Sequence, residues 1–179
     1  PYRRPQIGRV IVRSVFDRTL FVLGRAVAVA APAGLIIWLA ANISINGANV
    51  LSICAALLDP LGKIMGLDGA ILLAFILGFP ANETVIPIII MTYAASGTLE
   101  GAGSLAETLS LFLSNGWSVR TAVCFIIFTL MHWPCSTTLL TVKKETGSLK
   151  WTALAFLLPT AAGALLCVAV NLFFGLFGL

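Results

Sequence analysis

Apolar residues gather into long runs along this chain, and short polar clusters cut those runs at a few places. Residues 26–45 form the cleanest run, bounded by Arg25, with Trp38 toward its far end, where an interfacial aromatic is expected. A transmembrane helix is predicted there, since roughly 20 apolar residues span a bilayer. Ala30 and Gly34 stand four apart, a spacing of small residues that lets helices approach closely, and Pro32 is placed to kink the run. Ahead of it, Ile7, Val10, Ile11, Val15 and Leu20 recur at close to helical spacing among arginines. That pattern predicts an amphipathic helix over residues 1–25 lying in the membrane interface.

Beyond the first run the pattern is more broken. Asn46, Gly47 and Asn49 predict a turn. Residues 50–58 are apolar but too short to span, and Asp59–Pro60 is expected to interrupt them before Lys63 and Asp68. A re-entrant or interfacial helix is predicted for residues 46–68, with a full crossing as the alternative. Residues 69–93 are again long enough to cross, yet their centre reads Gly78-Phe-Pro-Ala-Asn-Glu-Thr-Val-Ile-Pro87. Residues 96–103 form a glycine-rich turn. Ser104 with Glu107 makes a capping-box pattern, and Leu105, Leu109, Phe112 and Leu113 then share one face of a short helix expected to lie on the membrane surface and to end at Asn115–Gly116. Residues 117–142 are interrupted by His132-Trp-Pro-Cys135 and the hydroxyls that follow. After the polar loop 143–150, residues 151–179 give a last apolar helix, expected to break or bend near Pro159, with Gly163 and Cys167 as a packing seam.

Composition fixes the class. The chain has 179 residues, 59% hydrophobic and 10% charged, with a mean hydropathy of +1.03. Soluble domains carry about 25% charged residues. The reading is therefore an all-α, polytopic membrane bundle with broken or re-entrant helices, one domain over residues 26–179 behind the basic segment 1–25. Six of the eleven basic residues precede position 26, and Lys143, Lys144 and Lys150 cluster later. Basic segments flanking membrane runs mark the cytoplasmic side and call for no nucleic acid. Putting both clusters on that side needs an even number of crossings between them, whereas the three long runs give an odd number. Either one broken run is a hairpin, for which Pro80 offers the place, or residues 46–68 add a crossing. Cys54, Cys124, Cys135 and Cys167 stand in apolar surroundings without a Cys-x-x-Cys pair, so no disulfide framework is expected.

Chemistry concentrates at the two breaks. A charge near the bilayer midplane costs about 2.5–3.5 kcal/mol on insertion scales, so Glu83 inside an apolar run is a functional candidate. Pro80 and Pro87 each remove a backbone donor, and breaks at that depth survive only where protein or water satisfies the freed groups. The two breaks share a plan: apolar run, proline, polar cluster, apolar run. One offers Asn82, Glu83 and Thr84, the other His132, Cys135, Thr137 and Thr138. Two discontinuous helices meeting near midplane make a common transporter site. Thiol and imidazole suit borderline transition metals, carboxylate and carbonyl harder ions. His132 and Cys135 would share a face if the chain there were helical, although Trp133 before Pro134 is biased away from helical angles. No phosphate loop, nucleophile elbow or His-Glu-x-x-His pattern is present, so no enzyme is expected.

The stretch Gly78–Pro87, with Trp133-Pro-Cys-Ser-Thr-Thr-Leu-Leu running into Lys144-Glu-Thr-Gly-Ser-Leu-Lys-Trp151, resembles the carboxy-terminal membrane part of the bacterial ferrous iron transport protein B family. The opening Pro1-Tyr-Arg and Gly116–Trp117 fit as well. The resemblance implies the second of two Gate repeats, related to a nucleoside-recognition module, in a multi-pass inner-membrane protein with its amino terminus cytoplasmic. It implies Fe²⁺ as transported substrate, Glu83 and Cys135 on the cation path, and His132, Thr137 and Asn82 beside it, Asn82 as the weakest of these. No stably bound cofactor is implied: GTP would belong to a GTPase domain that, with the first Gate repeat, lies outside this chain. The opening residue Pro1 agrees with a piece of a longer protein. Besides the lipid bilayer and those absent parts, small accessory iron-transport proteins and further copies of the protein are conceivable partners. The rivals are a stand-alone Gate protein carrying a nucleoside-like solute and a membrane-assembly protein.

Overall fold

The computed structural model of the chain describes residue 8 and residues 20–45, 47–94 and 104–177. The expected glycine-rich turn over 96–103 lies outside these residues, as do residues 1–7 and 9–19 of the interfacial helix expected over 1–25; residues 21–25 of that segment belong instead to the first long helix, Phe21–Asn42. The regular elements of the described part are all helices, apart from one two-residue ladder.

Helix α1, Phe21–Asn42, realises the first apolar run and carries Pro32 inside it. It stops short of the expected end because Ile43 is extended (φ −86°, ψ 119°). Strands β1 (Ser44–Ile45) and β2 (Ala48–Asn49) then pair antiparallel, Ser44 with Asn49 and Ile45 with Ala48, around the predicted turn. The ladder satisfies backbone groups that no helix reaches between two tightly spaced helices.

Helix α2, Val50–Ile64, runs straight through Asp59–Pro60, so the interruption expected there does not occur. Lys63, one turn on, pairs with Asp59, and the Gly69 N–H donates to Asp59 Oδ1 at 3.3 Å. These contacts and the packing of α2 on the next helix outweigh one lost helical hydrogen bond. The chain turns instead after Ile64, where Gly66 takes φ +72°. Asp68 then caps helix α3, Gly69–Leu77, by accepting from Ile71 N at 2.7 Å. The two helices meet at 109°, a broken span or re-entrant loop. Gly69 permits this corner: a Cβ there would lie 1.8 Å from the Ala55 carbonyl oxygen.

Helix α3 is the centre of the bundle, buried from Gly69 to Phe75. Helix α4, Val85–Ala94, lays Ile88, Ile89 and Met91 into the same core. Helix α5, Leu105–Ser114, carries both bonds of the predicted capping box between Ser104 and Glu107, and its Leu105, Leu109 and Leu113 are exposed. Phe112 of that face instead turns inward and stacks on Trp117, with ring centroids 4.5 Å apart.

Helices α6 (Val119–Met131) and α7 (Ser136–Thr146) divide one apolar run of 28 residues. Helix α8, Leu149–Phe177, is continuous for 29 residues, so Pro159 does not break it. These two runs are long and apolar enough to cross a membrane, and the bent α2–α3 pair adds a third if it counts as one span. The Gly163–Cys167 seam is borne out: α8 packs there on α6, where Cys124 and Cys167 are wholly buried and each thiol donates to the other's carbonyl, at 3.8 and 3.3 Å.

Two polar ties hold the far ends together. Trp117 Nε1 donates to the Tyr93 hydroxyl at 2.8 Å, and that hydroxyl donates to Asp68. Asn171 Nδ2 donates to the carbonyls of Lys63 and Ile64, both at 3.0 Å, so α8 caps the end of α2. The result is an all-α membrane bundle with two interior breaks, one after α3 and one after α6.

Candidate functional site: two helix breaks that meet

The first break begins at Gly78, where a Cβ would strike Val85 Cγ2 at 2.7 Å and the Ala74 carbonyl oxygen at 2.8 Å, so the chain folds back more tightly than any other residue allows. Ala81 N donates to Gly78 O at 2.9 Å, and the Thr84 hydroxyl to Ala81 O at 2.7 Å. Asn82–Thr84 form one 3₁₀ turn. Pro80 stands in the break as expected. Pro87 does not disturb its helix: it lies in the first turn of α4, where a backbone N–H has no helical partner to lose.

The second break is extended. His132 (φ −70°, ψ 176°) closes α6, and Cys135 (φ −58°, ψ 158°) precedes α7. The helical face that would have aligned His132 with Cys135, or Met131 with Cys135, is therefore absent. Pro134 drives Trp133 out of helical angles, and His132 leaves the helix with it.

The two breaks touch. The Ser136 N–H, at the start of α7, donates to the Phe79 carbonyl at 3.0 Å. The carbonyl end of α3 and the amide end of α7 thus converge, offering a cation oxygen ligands on one side and an anionic ligand a favourable dipole on the other. Around this junction Phe75 lies 4.9 Å from the His132 ring, and Trp133 stacks on Phe156 at 5.3 Å.

The candidate side chains divide as follows. Cys135 Sγ lies 3.1 Å from both the Thr137 and Thr138 hydroxyls, so Cys135 and Thr137 are brought together. His132 Nδ1 lies 2.8 Å from the Thr129 carbonyl oxygen. A carbonyl only accepts, so Nδ1 carries the hydrogen, and in the neutral ring Nε2 keeps its lone pair, the arrangement of a metal-ready imidazole. Asn82 is half-buried and Glu83 exposed. The Glu83 carboxylate, placed by its sequence position inside an apolar run, makes no hydrogen bond or ion pair with any described residue. Among the described residues no three His, Cys, Asp or Glu side chains gather to hold a metal ion.

One signal lay beyond sequence reasoning. Among the described residues, four buried side-chain atoms lack a hydrogen-bond partner: Asn82 Oδ1, His132 Nε2, Trp133 Nε1 and Ser136 Oγ. All four belong to the two breaks. Trp133 and Ser136 were not in the predicted set, and only the backbone junction with Phe79 shows that Ser136 belongs to both breaks at once.

Comparison with known proteins bears on the whole chain. Residues 23–149 match the family model Gate, described as nucleoside recognition. The chain belongs to the Gate family. Among curated relatives, the Fe(2+) transporter FeoB of Staphylococcus aureus (strain MSSA476) is 29% identical over 168 residues, 88% of this chain and 23% of the relative. The Fe(2+) transporter FeoB of Leptospira biflexa is 30% identical over 107 residues, 58% of this chain and 16% of the relative. That of Methanocaldococcus jannaschii is 24% identical over 169 residues, 87% of this chain and 24% of the relative. The resemblance drawn from the two breaks thus extends over most of the Gate chain. The chain spans about a quarter of the length of the curated relatives it matches. No solved structure matches it.

Proposed function

We propose that this Gate region forms one wall of a transmembrane path for Fe²⁺, with the joined breaks as the ion's stopping place. The observation that carries the proposal is the set of four buried, unpartnered polar atoms confined to the two breaks. Buried polar groups without partners are rare and call for an explanation. A cation or its hydration water supplies one here: Asn82 Oδ1 and His132 Nε2 accept, Trp133 Nε1 donates, and Ser136 Oγ does either. Cys135 adds a soft ligand held by two hydroxyls, with Thr137 beside it, and Glu83 adds the carboxylate that draws a divalent cation in. A borderline ion such as Fe²⁺ suits this mixture of thiol, imidazole and oxygen.

Glu83 faces outward from this chain, so the path lies between it and a facing element. A first Gate repeat in the longer protein would supply that element, and a GTPase domain the coupling. Stacking by a nucleoside is less well served, because the aromatic faces at the junction already pack on one another. The test is Fe²⁺ uptake by proteoliposomes of the intact protein with GTP present. Glu83→Gln and Cys135→Ser are each expected to lower uptake, with nucleosides not competing. Unchanged uptake in both variants sinks the site, and competition by nucleosides but not by other divalent metals sinks the cargo.

A further inference from the structure

A second polar region lies at the opposite end of α3 and α6 from the breaks. It is a cavity of about 530 Å³ whose wall includes Asp59, Lys63, Asp68, Asn115, Arg120 and Asn171. Its formal charges cancel, so what it binds depends on which groups remain unengaged. Each of the four carboxylate oxygens already accepts one contact from the protein. Asp59 holds Lys63 and the Gly69 N–H, and Asp68 holds the Ile71 N–H and the Tyr93 hydroxyl. Lys63 spends one of its three N–H donors on that pair with Asp59. Asn171 and Asn115 have directed their amide N–H groups to the backbone, Asn115 to Leu111 O at 2.8 Å, which leaves their carboxamide oxygens. Arg120 is half-buried and makes no hydrogen bond or ion pair with any described residue.

The unengaged set is therefore the Arg120 guanidinium fork and the remaining Lys63 N–H donors together with neutral acceptor oxygens, which complements an anion carrying hydroxyl donors. A guanidinium binds a phosphate through two parallel hydrogen bonds. Depth indicates where such a group comes from. Arg120 is the second residue of the 28-residue apolar run Val119–Thr146, which puts it at the water boundary of that run. Trp117 stands beside it, and the exposed leucines of α5 lead into the same end. We propose that this cavity binds a glycerol phosphodiester headgroup, with the phosphate on Arg120 and the headgroup hydroxyls on the Asn171 and Asn115 oxygens. Phosphatidylglycerol in the surrounding leaflet is the nearest source, and soluble glycerophosphoglycerol, a diester without acyl chains, carries the same chemistry. This site is independent of the iron path and stands or falls separately from it.

The intact protein, purified into nanodiscs of mixed phosphatidylglycerol and phosphatidylcholine, would be released in native mass spectrometry to count retained lipid. The parent is expected to keep one phosphatidylglycerol in preference to phosphatidylcholine. Arg120→Gln is expected to lose about tenfold or more of that occupancy, as removal of a charged hydrogen-bonded partner implies. Arg120→Lys keeps the charge without the fork and is expected to fall between the two. It also decides the matter if Arg120→Gln does not fold. In a second arm, soluble glycerophosphoglycerol is added to the parent. Displacement of the lipid supports the shared site, and binding of the soluble ester without lipid retention makes the soluble ester the source. Equal retention of both lipids, or parental retention by the folded Arg120 variants, overturns the proposal.

Discussion

Replacing Gly69 by alanine tests the corner on which the bundle is built. A Cβ at Gly69 would lie 1.8 Å from Ala55 O and 2.6 Å from Asp59 N, whereas real Cβ contacts essentially never fall under 3.0 Å. Both obstacles are backbone atoms of α2, so no side chain can swing aside. Helix α2 must retreat by more than an ångström, which also pulls Asp59 from the Gly69 N–H. Overpacking of this kind costs about 1–3 kcal/mol, and a rigid backbone obstacle belongs at the upper end. For a chain of this size about 3 kcal/mol lowers the unfolding midpoint by roughly 6–12 °C. The assay is thermal unfolding in detergent, followed by tryptophan fluorescence. Gly34→Ala is the control, because nothing lies within 4 Å of its Cβ and alanine favours the helix by about 0.5–1 kcal/mol. A Gly69→Ala midpoint within a degree of the parent would refute the close approach of α2 to α3.

Two further substitutions test separate joints. Tyr93→Phe leaves Trp117 Nε1 and one Asp68 oxygen without the hydroxyl between them, at a cost of about 1–3 kcal/mol. A lowered unfolding midpoint with altered tryptophan emission is expected, and an unchanged midpoint would mean that the tie contributes nothing. Ser104→Ala removes the acceptor of the α5 capping box, at a cost of about 1 kcal/mol. Faster hydrogen exchange confined to the amides from Leu105 to Thr108 should follow, and unchanged protection there would argue against the cap.

Much of this architecture is legible in the residues themselves. The apolar runs gave the helices, Ser104 and Glu107 gave the cap, and the two proline-bearing clusters gave both breaks. Local rules failed where distant contacts decide. Pro60 reads as a breaker, but Asp59 is anchored by Gly69, ten residues on, and the helix continues. The true stop uses Gly66 and the Asp68 cap, both visible in the sequence but weaker in appearance than a proline. Pro87 reads as disruptive, yet a proline in a first turn costs little, and only the start of α4 reveals that it stands in one. At the site, residue types were legible and pairings were not. The spacing of His132 and Cys135 suggested a shared helical face that Pro134 prevents, whereas the bond from Ser136 to Phe79 joins residues far apart in the chain and leaves no local mark.

The central claim is that the joined breaks meet Fe²⁺ in a water-accessible path. The most direct measurement is the rate at which a water-soluble maleimide modifies Cys135 in the intact, membrane-reconstituted protein. It would be read from the Cys135 peptide under anaerobic conditions, with the buried Cys124 and Cys167 as internal controls. The prediction is that Cys135 reacts, that Fe²⁺ slows the reaction while Mg²⁺ does not, and that His132→Ala weakens the protection. A Cys135 as unreactive as the two buried cysteines, or one indifferent to Fe²⁺, would contradict it.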